Sequence, residues 1–348
     1  MKAVLFALVA GSLFLVGCQP SSDQAASGPA SKSAKVARQL AGGLGPLPPV
    51  EHPADNPLSP EKVELGKMLY FDTRLSGTER VSCATCHNPS FGWGEGVGLS
   101  VGVGDQKLAR HSPTVLNAAF YTHQFWDGRA ATLEEQAKGP ITSPVEMNAD
   151  PEVVVKRLQG IPGYAERFEK VFGEPVSFDN IAKAIAPYER TIVRGDSAFD
   201  RWAAGDDAAM SEEAKRGYQL YTTKALCITC HSGPNFSDSK FYNIGVKGSG
   251  TTDKGRFDVT KNPADLGAFK TPTVRNAALT APYMHDGSLK TLEEVVEHYN
   301  KGGEDVPNKH PVMVPLNLNA QEKADLVAFM KALTGEPLAD QTLPELPY

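Results

Sequence analysis

The sequence has no basic excess. Its 35 Lys and Arg stand against 41 Asp and Glu, a formal net charge of −6. Nucleic-acid surfaces are built from clustered cations, so this balance excludes nucleic acid as the main partner. The sequence also lacks an apolar run able to cross a bilayer. The candidate, Ala3–Val16, is shorter than the roughly 20 residues a spanning helix needs. No stretch alternates apolar and polar residues as a half-buried strand would. Cysteine is scarce, with five in 348 residues. One is Cys18, and the other four form two copies of one motif, which leaves none for a disulfide framework. What is present is a globular composition, 41% apolar and 22% charged, in a chain long enough for two domains. Its 32 Gly and 26 Pro predict long irregular connections with fixed turns.

The N-terminus reads as an address. Lys2 precedes the apolar Ala3–Val16, the pattern of a secretory signal peptide. The segment ends Leu15-Val16-Gly17-Cys18, which resembles a bacterial lipoprotein cleavage box. Residues 1–17 are therefore expected to be removed and Cys18 to be lipidated, leaving the chain in the periplasm, anchored to a bacterial membrane. The alternative is an ordinary secretory peptide, which exports the chain as well. Residues 18–50 are rich in Ser, Ala, Gly and Pro and read as a flexible tether.

The two cysteine motifs are Cys83-Ala-Thr-Cys86-His87 and Cys227-Ile-Thr-Cys230-His231. Cys-x-x-Cys-His is the attachment signature of c-type haem: the thiols form thioethers with the haem vinyls, and the His ligates iron. A redox Cys-x-x-Cys would not need the His. A zinc site would bring the four Cys together, but 144 residues separate the copies and both carry the His. Two covalent haem c groups are expected, held by Cys83, Cys86 and His87 and by Cys227, Cys230 and His231.

The repeat extends beyond the motifs. Pro113-Thr-Val-Leu-Asn-Ala-Ala119 matches Pro272-Thr-Val-Arg-Asn-Ala-Ala278. Asp127-Gly128 and Asp286-Gly287 follow at equal distance, and then Thr-Leu-Glu-Glu at 132–135 and 291–294. This is a tandem duplication of a one-haem unit. Helix signals dominate elsewhere. Asp150-Pro151 caps a helix ending at Gly160, and Ile181, Ile185, Tyr188 and Ile192 make an apolar stripe. Ser211 opens a helix, and Asn319-x-x-Glu322 caps one through Leu333. The fold class is mostly α, two cytochrome c-like haem domains at 51–200 and 201–348, with the boundary in the Gly195–Ala209 stretch.

Function depends on what faces each proximal His, since an iron with an open side can bind peroxide and one with two strong ligands passes electrons. In the register of the duplication, Tyr299 falls opposite Pro140. A phenolate can ligate ferric haem and a proline cannot. Met284, His285, His298, His310 and Met313 remain alternative ligands of the second haem.

With these residues in place, the sequence resembles the bacterial dihaem cytochrome c peroxidase family, MauG-like branch, over about residues 55–335. The resemblance rests on both haem motifs, Gln124-Phe-Trp-Asp-Gly-Arg-Ala130, Gly139-Pro140 through Val145-Glu146-Met147, Asp253-Lys-Gly-Arg-Phe257 and Leu279-Thr-Ala-Pro-Tyr283. It implies a peroxidatic N-terminal haem on His87 and an electron-entry haem on His231. It implies that Glu146 is the distal acid–base group, Gln136 a second distal residue, Trp126 a relay between the haems, and Tyr299 the distal ligand of the second haem iron. Peroxidases needing prior reduction carry a displaceable His at the place held here by Val103. The family's interdomain calcium would draw on carbonyls of Thr280 and Pro282, but His111 stands where an Asn is usual. Trp202 falls where the branch uses a surface Trp. The implied partners are hydrogen peroxide, a small monohaem cytochrome c or cupredoxin as donor, and a second copy in a homodimer. The implied activity is peroxide reduction without reductive activation. The alternative is a MauG-like oxidase that stores two oxidising equivalents to modify a protein or organic substrate. A plain electron carrier would have no use for an uncapped haem.

Overall fold

The computed structural model describes residues 37–338 and 342–348. The expected signal peptide, Cys18 and the tether up to residue 36 lie outside the described residues. Six helices carry the first repeat: α1 (Pro60–Phe71), α2 (Cys83–Cys86), α3 (Leu133–Thr142), α4 (Pro151–Gln159), α5 (Pro162–Phe172) and α6 (Phe178–Thr191). Five carry the second: α7 (Ala198–Ala203), α8 (Glu212–Thr222), α9 (Phe257–Thr260), α10 (Leu292–Lys301) and α11 (Ala320–Ala332). Two-residue strands, β1 (Phe241–Tyr242) and β2 (Phe269–Lys270), pair antiparallel. The helices begin where the capping residues stand. Thr132 Oγ1 accepts from the Glu135 amide and Thr291 Oγ1 from the Glu294 amide, each at 3.1 Å, and Asn319 and Glu322 close a reciprocal box.

Two apolar cores form. One gathers Leu65, Leu69, Tyr70, Ile141, Phe168 and Ile185, the other Phe199, Tyr218, Tyr221, Phe236 and Phe329. Phe199 and Trp202 already belong to the second, so the core changes hands between Ile192 and Phe199. The duplication is built into both. In the first, α1 crosses α6 at Gly66, where a Cβ would lie 1.9 Å from the Ala184 carbonyl oxygen. In the second, α8 crosses α11 at Gly217, where a Cβ would lie 2.0 Å from that of Asp325. Only glycine permits such an approach. Four residues later in each helix a buried tyrosine reaches the haem motif: Tyr70 Oη donates to the His87 carbonyl at 2.9 Å and Tyr221 Oη to the His231 carbonyl at 2.8 Å.

The halves are joined at Arg194, whose carbonyl accepts from the side-chain amides of both repeat asparagines, Asn117 at 3.2 Å and Asn276 at 2.9 Å. The ends cross over. Leu44 is buried in the second core and Gly45 O accepts from Arg275 at 2.6 Å, while Leu346 packs on the first core and Pro347 O accepts from Arg74 at 2.9 Å. Residues 38–45, expected to be tether, are thus packed structure: a buried Leu and a paired carbonyl outweigh a Gly/Pro-rich composition.

Candidate functional site

Both Cys-x-x-Cys-His motifs open onto one largely apolar cavity of about 1000 Å³ between the two cores. Its walls include His87 from the first motif and Cys227, Cys230 and His231 from the second. A side slot of about 60 Å³ adds Cys83 and Cys86. None of the four motif cysteines is tied up in a disulfide, and burial raises the thiols of Cys86 to about 12 and Cys230 to about 11, which leaves both pairs available to a cofactor. Each motif is a single tight turn, the His amide donating to the carbonyl of the first Cys at 2.9 Å in both copies. His231 Nδ1 lies 3.0 Å from the Pro272 carbonyl, which assigns the proton to Nδ1 and leaves Nε2 its lone pair. Nδ1 of His87 faces the carbonyls of Pro113 and Trp93 in looser geometry. Burial lowers His87 to about 4 and lowers His231 as well, so both imidazoles are neutral, the form that binds a metal.

The walls facing the two histidines differ. In the first half α3 brings Gln136 and Pro140 to the cavity one turn apart, and the following turn brings Glu146. The Glu146 carbonyl accepts from the Val103 amide at 3.0 Å. Val103 itself is buried off the cavity wall, while Leu108 to Arg110 of the same loop line it. In the second half α10, the repeat of α3, presents Tyr299 to the cavity beside Cys227 and Cys230, with burial raising its phenol. Of its rivals, His298 points away and holds the Ile244 carbonyl at 3.0 Å, and His310 packs on Tyr242 off the wall. Met284, His285 and Met313 line the cavity, His285 stacked on Phe269 at 3.7 Å.

Trp126 stands at the junction of the halves. Its indole donates to the His111 carbonyl at 2.8 Å, and its own carbonyl accepts from the Lys270 amide at 2.8 Å. Trp202 is not a surface residue: it is 8% exposed, packed against Phe199 and Tyr218 and covered by the Arg38 guanidinium 4.7 Å above its ring. The packed N-terminal segment is what buries it.

Sequence reasoning missed Glu189. It is 5% exposed, lines both the cavity and the slot, and its Oε2 has no hydrogen-bond partner. Burial pushes it up to about 8. Placing the Gly66 and Gly217 crossings in register sets Glu189 against Met330, which also lines the cavity. The signal was available only once the helix crossings were known.

Residues 60–208 match the family described as di-haem cytochrome c peroxidase, and residues 214–334 match cytochrome c. Among curated proteins, the methylamine utilization protein MauG of Methylorubrum extorquens is 49% identical over 300 residues, 86% of this chain and 85% of that protein. The cytochrome c551 peroxidase of Nitrosomonas europaea is 41% identical, covering 87% of each. The chain belongs to the di-haem cytochrome c peroxidase family. A solved MauG-like protein associated with microbial copper homeostasis superposes with a TM-score of 0.78 at 35% identity, over 83% of this chain and 94% of that one. The cofactors of this di-haem peroxidase are two haem c groups. The residues present fit them: an apolar cavity, two pairs of thiols, and two neutral imidazoles, one with its Nδ1 hydrogen-bonded to a backbone carbonyl. Among the described residues no helix is long and apolar enough to cross a membrane.

Proposed function

We propose that the chain reduces hydrogen peroxide to water at the His87 haem without prior reduction, using electrons that enter at the His231 haem. One peroxide takes up two electrons and two protons and leaves as two waters. The observation that carries this reading is the asymmetry of the walls: Pro140, Gln136 and Glu146 on the first side, Tyr299 on the second. Bound haem supplies an iron that accepts a peroxide oxygen and exchanges electrons. The rest falls to the chain. Cys83 and Cys86 tether the first haem, Cys227 and Cys230 the second, and His87 and His231 offer Nε2 to iron. Pro140 offers no ligand, so the first distal side stays free. Glu146 takes a proton from the nearer peroxide oxygen and returns it to the farther one, which departs as water. The Gln136 amide donates a hydrogen bond to the bound oxygens. Tyr299 closes the second site, and Trp126 spans the gap.

The test uses the ferric holoprotein as isolated. Mixed with one equivalent of peroxide, its Soret band changes within seconds, and paramagnetic resonance beforehand shows one high-spin and one low-spin haem. Two low-spin haems, with no reaction until an electron is supplied, would overturn the reading. Tyr299 also favours the alternative, a MauG-like oxidase that holds two oxidising equivalents. Fast steady-state turnover with a reduced monohaem cytochrome c or cupredoxin distinguishes the peroxidase, because the oxidase turns over slowly and accumulates a long-lived oxidised state.

The same reading places the enzyme in the periplasm, as a homodimer anchored by lipid on Cys18, which intact mass and sedimentation check. It does not include the interdomain calcium. His111 Nδ1 is 2.9 Å from the Val97 carbonyl and the His111 amide donates to His285 O at 2.8 Å. An imidazole thus stands where an oxygen donor is usual, which leaves the carbonyls of Thr280 and Pro282 as the protein oxygens of that place.

A further inference from the structure

Lys270 is the odd cation of this molecule. It is 8% exposed and lies on β2, on the wall of the cavity that both haem motifs share. Among the described residues three other Lys or Arg side chains are as deeply buried, and each has its partners. Arg190 pairs with Glu134 at 2.7 Å, Arg275 with Asp200 at 2.7 Å, and Lys62 donates to Asn56 Oδ1 at 3.0 Å and to the Pro57 carbonyl at 2.8 Å. Lys270 Nζ donates once, to the His123 carbonyl at 2.9 Å, and sits 3.6 Å from the centre of the Tyr121 ring. No carboxylate among the described residues pairs with it. Asp127, the acid whose charge reaches it, is committed to Arg110 at 2.6 Å and Arg129 at 3.0 Å. Left this way, burial drives the ammonium down to about 7.

A carbonyl and an aromatic face use part of the bonding capacity of an ammonium, which has three donors, and neither cancels its charge. A buried charge without a counter-charge is among the most costly features a fold can keep. The counter-charge therefore has to come with whatever fills the cavity. Haem c has two anionic groups, its propionates, and both motifs open onto the space that Lys270 faces. We propose that Lys270 is the counter-charge of a haem propionate at the junction, a cation of the second half that fastens a cofactor against the 121–126 loop of the first. The placement also bears on Trp126, because the Lys270 amide holds the Trp126 carbonyl at 2.8 Å. One lysine thus joins a propionate to the residue between the haems. Lys270 acts here as a positioning and charge-setting residue.

This inference rests on the reading that two haems occupy the cavity, so haem content is measured first, on wild-type holoprotein and on K270M, K270Q and K270R. With two haems per chain retained, resonance Raman is expected to show the propionate-bending band of one haem shifted in K270M and K270Q and restored in K270R. The midpoint potential of that haem falls in the two neutral variants, since an uncompensated carboxylate favours ferric iron, and returns in K270R. K270Q keeps a donor for the His123 carbonyl, so it separates loss of charge from loss of that hydrogen bond and serves where K270M does not mature. Unchanged propionate bands and potentials in a fully loaded neutral variant would overturn the proposal. Fewer than two haems in wild type would overturn the underlying reading instead.

Discussion

The two halves use one scaffold for two different walls. Gly66 and Gly217 let the same pair of helices cross, and Tyr70 and Tyr221 hold the same carbonyl of the same motif. Opposite that shared frame, Gln136 and Pro140 stand where the second half has Val295 and Tyr299, and Glu189 stands where it has Met330. The residues that shape the frame were kept in both copies, as were Pro113 and Pro272, Thr114 and Thr273, and Leu133 and Leu292 on the cavity wall, while these three wall positions were not. Duplicated proteins can divide labour this way because a few side chains on a rigid frame change the chemistry without disturbing the core.

The largest way to break the comparison is at Glu146, whose counterpart in the register, Asp305, does not line the cavity. Glu146→Gln is expected to slow the peroxide reaction by about 100-fold or more with haem content intact, the usual worth of a positioned proton shuttle; stopped-flow rates within twofold of wild type would remove that role. The frame itself is tested by Gly66→Ala and Gly217→Ala. Each places a methyl against a backbone carbonyl, and each should lower unfolding free energy by about 1–3 kcal/mol or more. Similar losses in both would support equivalent crossings, and a loss in only one would break the equivalence.

Tyr299→Phe sharpens the other wall. It should change the spectrum of one haem only and raise that haem's potential, because a phenolate stabilises ferric iron. An unchanged spectrum moves the ligand to Met284, His285 or Met313. The smallest effect concerns Glu189. Its pKa in the folded protein, about 8, lies above the usual 4.5, so the fold favours the protonated acid. That contribution is fully present below about pH 4.5 and is lost as pH rises towards 8. Glu189→Gln should flatten the fall of Tm over this window, and Met330→Gln should leave the profile of wild type.

The haem motifs, the duplication and most helix starts were legible in the chain because they depend on local spacing. Thr132, Thr291, Ser211 and Asn319 cap helices by contacts three residues away, and Cys-x-x-Cys-His is complete within five. The pairing of Pro140 with Tyr299 was legible as well, since the repeat carries its own register. Trp202 and residues 38–45 were not. Composition marks the segment as tether, but its fate is set by Arg38, Leu44 and Gly45 meeting partners more than 150 residues away. The sequence by itself determined how many cofactor sites there are and which residues begin each helix. Only the tertiary structure decided which side chains share the cavity. It set Lys270 against Tyr121 and left Oε2 of Glu189 without a hydrogen-bond partner, because burial and counter-charge belong to the packed whole and to no single stretch of chain.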